Sequence, residues 1–226
     1  MAPTTEQARI VADLKSGSPS DVPIPIVSAE DAAAGFLTPV TYRLAEDPAV
    51  IDALFRWRRS HMRSFLTVFN PTVEKTRNYL TAHSLPDNAR ILFLVADRNN
   101  RYVGHIGLCN IARDGGEIDN VIRGEPVDIP GFMVCAHSAL LGWAFRSLDL
   151  PMAYLNVLAD NTRATSTYDK VGFRAVGRTS LAREEHDGGY RLRPVSGWSG
   201  DGADAALVRM EILRDAFYRT LSRKNC

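Results

Sequence analysis

The chain has 226 residues, of which 45% are hydrophobic and 23% charged, a composition typical of a globular protein. Its 27 basic and 26 acidic residues leave a formal net charge of +1, which indicates neither a nucleic acid nor an anionic membrane as partner. No apolar run approaches the ~20 residues that span a bilayer, and residues 1–16 lack the apolar segment of a signal peptide. The three cysteines, Cys109, Cys135 and Cys226, suit neither a disulfide framework nor a zinc site. We therefore predict a cytoplasmic protein with reduced thiols and no bound metal.

The first 36 residues are predicted to form an N-terminal extension. A weakly amphipathic stretch, Glu6–Leu14, precedes a segment rich in serine, proline and alanine that includes Ser18, Pro19 and Ser20. Such a composition is typical of a mobile arm or of a strap across the surface.

Residues 37–226 are predicted to form a single domain that begins with a strand and two helices. Val40–Leu44 alternates apolar and polar residues, as a short strand does. Asp47 is a suitable N-cap with Pro48 in the first helical turn, and Pro71-Thr72 is a similar start for the second helix.

The rest of the chain predicts a mixed sheet with crossing helices. The predicted elements are strands at 91–96, 102–111 and 117–122, a helix at 133–148, a strand at 152–158, a helix at 162–170, strands at 173–180 and 206–213, and a polar helical tail. A segment rich in glycine, serine and proline at about 184–204 predicts a long loop. Antiparallel strands followed by a β-α-β-α-β half predict an α+β fold, in which the crossover from 117–122 to 152–158 is parallel and right-handed.

The most informative segment joins the strand at 152–158 to the helix that follows it. Asn161 lies where the strand ends and the helix begins, so its side chain either caps the helix or binds an amide-bearing ligand. Tyr168 follows seven residues later, on the same helical face as Asn161. A phenol and a thiol have similar pKa values, so Tyr168 is suited to protonate a departing thiolate.

This segment resembles the signature of a known superfamily. Asn161-Thr-Arg-Ala164 with Tyr168-Asp-Lys170-Val-Gly172-Phe173 resembles the N-x-x-A…Y-x-K-x-G-F pattern of the GNAT N-acyltransferases, and the element order over about residues 38–213 is similar to theirs. The resemblance implies a twisted, mixed, mostly antiparallel sheet with helices on both faces and a splayed parallel strand pair. It also implies acetyl-CoA as cofactor, Asn161 as a contact of the pantetheine arm and Tyr168 as the general acid. The alternative is that Tyr168 only packs the helix on the sheet.

A second segment, Asp128–Val134, precedes the long helix and is predicted to bind the pyrophosphate of the cofactor. A helix N-terminus offers free amides and a positive dipole end to an anion. The family pattern here is R/Q-x-x-G-x-G/A, of which this chain retains only Gly131. Asp128 and Met133 stand where the family has a basic or amide residue and a small residue. The predicted contacts are Pro130, Gly131, Phe132, Met133 and Val134.

A third segment, Gly116–Arg123, corresponds in the family to the strand that splays from its parallel neighbour. The resemblance implies that its main chain at Val121, Ile122 and Arg123 contacts the cofactor. Glu117 and Asp119 point to one face, because strand side chains alternate. One acid is predicted to accept the proton of the substrate ammonium and the other to hold the ammonium; alternatively both are simply solvated. His105, on the preceding strand, is predicted to share the site or to be structural.

The acceptor is predicted to lie against the first helix of the domain. Trp57, Arg58 and His61 are the predicted contacts, because arginine pairs with phosphate and tryptophan stacks on a sugar or base. This segment resembles a W-R pattern in the GNAT subgroup that acetylates nucleotide-linked amino sugars, and it is also similar to ribosomal-protein N-terminal acetyltransferases. The alternative is a basic amphipathic helix with Trp57 in the core. The loop at 184–204, with Tyr190, Arg191, Arg193 and Trp198, is predicted to cover the acceptor, to be disordered or to mediate a homodimer.

Together these patterns predict an N-acyltransferase that moves an acetyl group from acetyl-CoA to a primary amine by direct attack. An acyl-enzyme on Cys109 or Cys135 is not favoured, since neither has a histidine partner at a recognisable spacing. The predicted acceptor is a nucleotide-linked amino sugar or another small amine. The alternatives are a protein N-terminus as acceptor and a non-catalytic acyl-CoA-binding module.

Overall fold

The computed structural model describes residues 2–17, 23–28, 33–186, 188–195 and 204–224. The helices are α1 Thr5–Ser16, α2 Pro48–Ser60, α3 Val73–Asn78, α4 Phe132–Ser147, α5 Thr162–Val171 and α6 Arg214–Lys224. The strands are β1 Ile24–Val27, β2 Ala33–Pro39, β3 Thr67–Val68, β4 Ile91–Asp97, β5 Tyr102–Ala112, β6 Gly115–Arg123, β7 Met152–Leu158, β8 Arg174–His186, β9 Gly189–Pro194 and β10 Ala205–Leu213. In these ranges no helix has both the length and the apolar character to cross a membrane.

The strands form one mixed sheet in the order β1-β2-β4-β5-β6-β7-β10-β8-β9-β3. Strands β6 and β7 pair in parallel, and every other recorded pair is antiparallel. The predicted fold class, a mixed and mostly antiparallel sheet with one parallel crossover, is therefore confirmed.

Each face of the sheet carries its own hydrophobic core. Alternate side chains of β4 point to opposite faces, so Phe93 joins one core and Leu92 joins the other. The core with Phe93 includes Leu140 and Phe145 of α4, whereas the core with Leu92 includes Leu54 of α2. Helices α4 and α5 consequently cover one face, and α2 and α3 cover the opposite face.

The helix boundaries follow from local capping chemistry. The Asp47 carboxylate accepts a hydrogen bond from the N–H of Ala49, and Pro48 occupies the first turn, as predicted for α2. Helix α5 ends at Gly172, which has φ of 118° and donates its N–H to the carbonyl of Tyr168. A residue without a Cβ adopts this left-handed backbone at little cost, so the predicted C-cap is confirmed.

The described part of the N-terminal region is neither a mobile arm nor a strap, so that prediction is wrong there. Helix α1 begins with a capping box between Thr4 and Gln7, and its Val11 is fully buried in the core beside α4. The buried ammonium of Lys15 donates to the carbonyls of Ser84, Leu85 and Asp87. Strands β1 and β2 extend the sheet. The domain boundary at residue 37 stays a prediction, and residues 18–22 lie outside the described residues.

The strand predicted at Val40–Leu44 is also wrong. The strand of this region is β2, which ends at Pro39, and the chain then turns. The Thr41 hydroxyl accepts a hydrogen bond from the N–H of Leu44, and its carbonyl accepts one from the N–H of Ala45. A hydroxyl that bonds the local backbone competes with sheet pairing, so the alternation of residues 40–44 was misleading.

The long loop predicted at about 184–204 is wrong for the residues that the structure describes there. Strand β8 continues to His186, and β9 returns antiparallel to it with Tyr190, Arg191 and Arg193. Strand β3 pairs with β9 at the sheet edge. Most of β8 is exposed, so it shows none of the alternation that reveals a half-buried strand. Trp198 and Cys226 lie outside the described residues.

Candidate active site

The parallel strands β6 and β7 pair only at their beginnings. Gly116 lies opposite Ala153 and Glu117 opposite Tyr154, and within the described residues no later pair joins the two strands. Asn120 interrupts β6 with φ of 49°, an uncommon backbone for a residue other than glycine. The strands therefore diverge after Glu117, and the edge of β6 faces a gap.

The residues predicted to line this gap by their main chain are at the end of β6. Val121 is half-buried and Arg123 is exposed. The side chain of Ile122 belongs to the core beneath α2, so only its backbone can face the gap. Their contact with a cofactor stays a prediction.

The N-terminus of α4 offers an open turn for an anion. Gly131 is the N-cap with φ of 70°, no side chain caps the helix, and a Cβ at this position would meet no atom within 4 Å. Of the other predicted contacts, Pro130 is exposed, Met133 and Val134 are half-buried, and Phe132 packs in the core. The acidic Asp128 is exposed, so its carboxylate remains hydrated. The turn fits a phosphate by its open space and backbone.

Tyr168 lies in α5 on the α4 side of the gap. Its side chain is 8% exposed, and its ring packs edge-on against His137 and Phe173, with centroid distances of 5.3 and 6.1 Å. Among the described residues the Tyr168 hydroxyl has no hydrogen-bond partner. Within the same residues, Nε2 of His137 is the one fully enclosed polar side-chain atom that lacks a partner, so the Tyr168 oxygen is not fully enclosed. The Tyr168 oxygen therefore reaches accessible space. Burial, followed by the negative charge of Asp119, raises the pKa of Tyr168 to about 12, so the phenol is protonated at neutral pH.

The two predicted acids have different surroundings. Oδ2 of Asp119 accepts a hydrogen bond of 2.9 Å from Asn120 Nδ2 and lies 3.8 Å from the Cys109 sulfur. Glu117 instead accepts hydrogen bonds of 2.7 Å from both Asn110 and Asn156, at the last paired position of β6 and β7. Of the two acids, it is Asp119 whose negative charge contributes to the raised pKa of Tyr168.

A cavity of about 170 Å³ lies next to Asp119 on the α2 and α3 side of the sheet. Its apolar lining consists of Leu54, Phe69, Pro71, Leu80 and Leu92. Its polar lining consists of Arg58, Lys75, Thr76, Tyr79, His105 and Asn120. Asn120 also donates a hydrogen bond of 3.0 Å to the Tyr79 hydroxyl, which connects the cavity wall with the Asp119 carboxylate.

His105 lies in the cavity wall and is 5% exposed, and its contact with a substrate stays a prediction. Its Nδ1 is 2.6 Å from the carbonyl oxygen of Asn120. Because a carbonyl only accepts hydrogen bonds, Nδ1 carries the proton and Nε2 has the free lone pair. Burial lowers the pKa of His105 to about 4, so the ring is neutral at physiological pH.

Of the three residues predicted on α2, the structure brings only Arg58 to the cavity. Trp57 is 3% exposed in the core, its Nε1 donates to Glu125 at 2.9 Å, and a Cβ at Gly124 would lie 2.2 Å from its ring. Trp57 is therefore closed to a stacked ligand. His61 ends α2 and donates from Nδ1 to the Trp57 carbonyl, outside the cavity lining. Neighbouring residues of a helix point to different sides, so Arg58 faces the cavity while Trp57 faces the core.

Sequence reasoning missed several cavity residues: Phe69, Lys75, Tyr79 and Asn120. The missed signal at Asn120 is a residue that tolerates positive φ in the middle of a strand. Lys75 and Tyr79 are four residues apart, at a spacing that places them on one face of a continuous helix. That spacing alone does not reveal which face meets a cavity.

Comparisons with known proteins agree with this geometry. Residues 38–174, more than half of the chain, match the family model described as acetyltransferase (GNAT) domain. No curated protein matches the chain significantly.

Solved structures with the same fold include polyamine acetyltransferases from Vibrio cholerae. Spermidine N-acetyltransferase in complex with CoA and spermine has a TM-score of 0.62 and 20% identity, covering 83% of this chain and 99% of that chain. A dodecameric structure of spermidine N-acetyltransferase in an intermediate state has a TM-score of 0.57 and 20% identity, covering 85% and 99%. At such identity these likenesses show the fold alone, and they give no support to the predicted amino-sugar subgroup.

The family match confirms the predicted cofactor and enzyme class. It covers β4 to α5, and thus both the diverging strands and the helix with Tyr168. The chain belongs to the acetyltransferase (GNAT) domain family, and it is an acetyl-CoA-dependent N-acetyltransferase.

Proposed function

We propose that this chain acetylates the primary amine of a small molecule by direct attack on the thioester. One observation carries the proposal: the Asp119 carboxylate accepts a hydrogen bond from Asn120, which lines the cavity of about 170 Å³, and both residues lie on β6 beyond its last pair with β7. An amine in the cavity would therefore lie near a carboxylate at the gap. No covalent intermediate on the protein is needed, since the Cys109 thiol has its pKa raised by burial and by Asp119.

Acetyl-CoA, when bound, supplies the activated acetyl group. We assign its phosphates to the open turn at Gly131 and its pantetheine arm to the β6 edge at Val121–Arg123. Asn161 Oδ1 accepts a hydrogen bond from the N–H of Ala164, so its Nδ2 is the group that remains to donate to the arm. The backbone amides at the gap are suited to stabilise negative charge on the acyl oxygen.

Tyr168 is the general acid in this proposal. Its hydroxyl is protonated at neutral pH, reaches accessible space and is without a protein partner in the described part of the chain. It can therefore give its proton to the departing thiolate without breaking an existing hydrogen bond.

Asp119 is the acid that we assign to the substrate amine. It would hold the ammonium and take up its proton, directly or through water. Glu117 has both oxygens engaged by asparagine amides, so we give it a supporting role in holding the β6 and β7 ends. Neutral His105 offers its Nε2 lone pair to the same cavity as a hydrogen-bond acceptor.

The acceptor class is a small amine rather than an amino sugar on a nucleotide. Similar structures are named for spermidine or contain spermine, which supports a small amine. The cavity measures about 170 Å³, below the ~300–1,000 Å³ of pockets for drug-sized ligands, so it suits a small amine better than a nucleotide. A protein N-terminus and a non-catalytic acyl-CoA-binding role remain the alternatives. Because one similar enzyme is dodecameric, we also propose self-association, with a homodimer as the simplest form.

Tyr168→Phe tests the proposal. We expect turnover to fall by about 10²-fold or more, because the proton donor is lost. The thermal shift produced by acetyl-CoA should stay the same, since the ring remains. Thiol release over a panel of amines measures turnover, and Tyr218→Phe is the matched control on α6. Unchanged turnover in Tyr168→Phe would remove Tyr168 from the chemistry, and acetyl-CoA binding without turnover on any amine would favour the non-catalytic role.

A further inference from the structure

Resting on the proposed function, we infer that the acceptor carries a carboxylate or phosphate in addition to its amine. Arg58 and Lys75 would bind this anion in the cavity, and Asp119 would bind the ammonium. The substrate class is thus a small zwitterionic amine, such as an amino acid or an aminoalkyl phosphate, and not a polycation.

The first support is the unpaired charge of Arg58. Its guanidinium stacks on the Phe65 ring at 3.4 Å and makes a single long hydrogen bond of 3.4 Å, to the Thr67 carbonyl. Across the described ranges, no carboxylate lies within ion-pair distance of Arg58. Stacking uses the face of a guanidinium and leaves its N–H edge for a planar anion, which it binds in a bidentate manner.

Other arginines of this chain are paired, including Arg56 and Arg101, which are more exposed than Arg58. Arg56 lies 2.9 Å from Asp52, Arg214 lies 2.6 Å from Asp149, and Arg101 lies 3.1 Å from a buried carboxylate. Burial lowers the pKa of Arg58 to about 10, so the group is still charged at neutral pH. A half-buried cation without an anion is costly, and a ligand anion would relieve that cost.

The second support is the charge of the whole cavity. Lys75 lines it together with Arg58, and His105 is neutral. No carboxylate belongs to its described lining. Two cations in a small space would repel spermidine, which itself carries several positive charges, and would attract an anion.

The third support is a carboxylate beside this cationic cavity. Asp119 accepts a hydrogen bond from the cavity-lining Asn120, and its charge partly opposes the effect of burial on the pKa of Arg58. The cavity also has an apolar wall that includes Leu54, Leu80 and Leu92. A molecule with an anion, an apolar body and an amine matches these groups.

The test compares amines that differ only in the anionic group, with thiol release as readout. One arm sets ω-amino acids of increasing length against their amides, a second sets aminoalkyl phosphates against the parent amino alcohols, and spermidine is the polycation. We expect kcat/KM for the anionic member to exceed that of its neutral partner by about tenfold or more, as a charged hydrogen bond provides. The arm with the larger ratio of anionic to neutral kcat/KM shows whether the acceptor carries a carboxylate or a phosphate.

Arg58→Gln supplies the residue-level test. It should remove most of the preference for the anionic member, so that the ratio of kcat/KM between the anionic and the neutral amine falls toward one. Arg56→Gln is the matched control on the same helix, because Arg56 is exposed and already paired with Asp52 and Glu125. Should Arg58→Gln fail to fold, the wild-type ratios decide alone.

Two results would overturn the inference. If neutral amines or spermidine are acetylated as well as the anionic amines, the acceptor needs no anion, while the proposed function stands. If acetyl-CoA binds but no amine releases thiol, the proposed function fails and the inference fails with it.

Discussion

The two sides of the active site are built from different kinds of chemical group. The cofactor side offers mostly backbone: the open turn at Gly131, the unpaired edge of β6 and the capped start of α5. The acceptor side offers charged and polar side chains, including Arg58 and His105, on an apolar wall. Backbone groups tolerate many side chains, so the cofactor side is insensitive to sequence changes such as Met133. The acceptor side should instead change its substrate with single substitutions.

Substitution of Asp119 should have the largest effect, and it tests most directly whether side chains determine the acceptor side. We expect Asp119→Asn to lower kcat/KM by about 10²-fold, because the ammonium loses its partner and proton acceptor. Glu117→Gln is the matched control, with an expected change of less than about threefold. Steady-state thiol release measures both.

The spectroscopic pKa of Tyr168 gives a second readout for Asp119→Asn. Loss of the negative charge should lower this pKa toward its ordinary value, although burial still raises it. A larger loss of activity in Glu117→Gln than in Asp119→Asn would reverse the assignment of the two acids.

A substitution at Trp57 should distinguish residues that stabilise the core of the acceptor side from residues that bind substrate in the cavity. Trp57→Phe removes the indole N–H that binds Glu125, and we expect the free energy of unfolding to fall by about 1–3 kcal/mol. The kcat/KM of the folded enzyme should stay within about twofold. Urea denaturation and thiol release measure the two quantities, with Trp143→Phe in the opposite core as control. Loss of activity at unchanged stability would place Trp57 in substrate binding after all.

The open turn of the cofactor side can be tested with Gly131→Ala. A Cβ at φ of 70° is strained, so we expect stability to fall by about 1–2 kcal/mol. The space around the new Cβ is empty, so a loss of acetyl-CoA affinity in the folded protein reports a clash with the cofactor. Calorimetric titration with acetyl-CoA measures the affinity, and Gly177→Ala, also in open space, is the control. Unchanged affinity would exclude close approach of the phosphates to residue 131.

The smallest effect is expected from Lys15, whose buried ammonium binds backbone carbonyls at residues 84–87. Burial lowers its pKa to about 8, below that of the unfolded chain, so the folded state holds fewer protons between about pH 8 and 10.5. Stability should therefore rise with pH in this window, by on the order of 1 kcal/mol relative to Lys15→Met. Thermal melts of both proteins across the window measure the difference. Parallel curves would show that Lys15 titrates normally.

The cofactor side was largely predictable because its elements are continuous segments of sequence. The run from Asn161 to Phe173 contains its own helix cap, its tyrosine and its terminating glycine. Burial of residues 91–96 in β4 likewise follows from their apolar composition. The hairpin of β8 and β9 was not predictable, because its exposed strands are stabilised by pairing rather than by an apolar face.

The sequence alone determined the family fold, the cofactor class and the position of Tyr168, since each depends on local pattern and on residues close together in the chain. Only the tertiary structure decided that Arg58 rather than Trp57 lines the cavity, and that Asp119 is hydrogen-bonded to a cavity residue whereas Glu117 binds two asparagines. Both outcomes depend on how distant elements pack and on where β6 leaves β7, which local composition does not reveal.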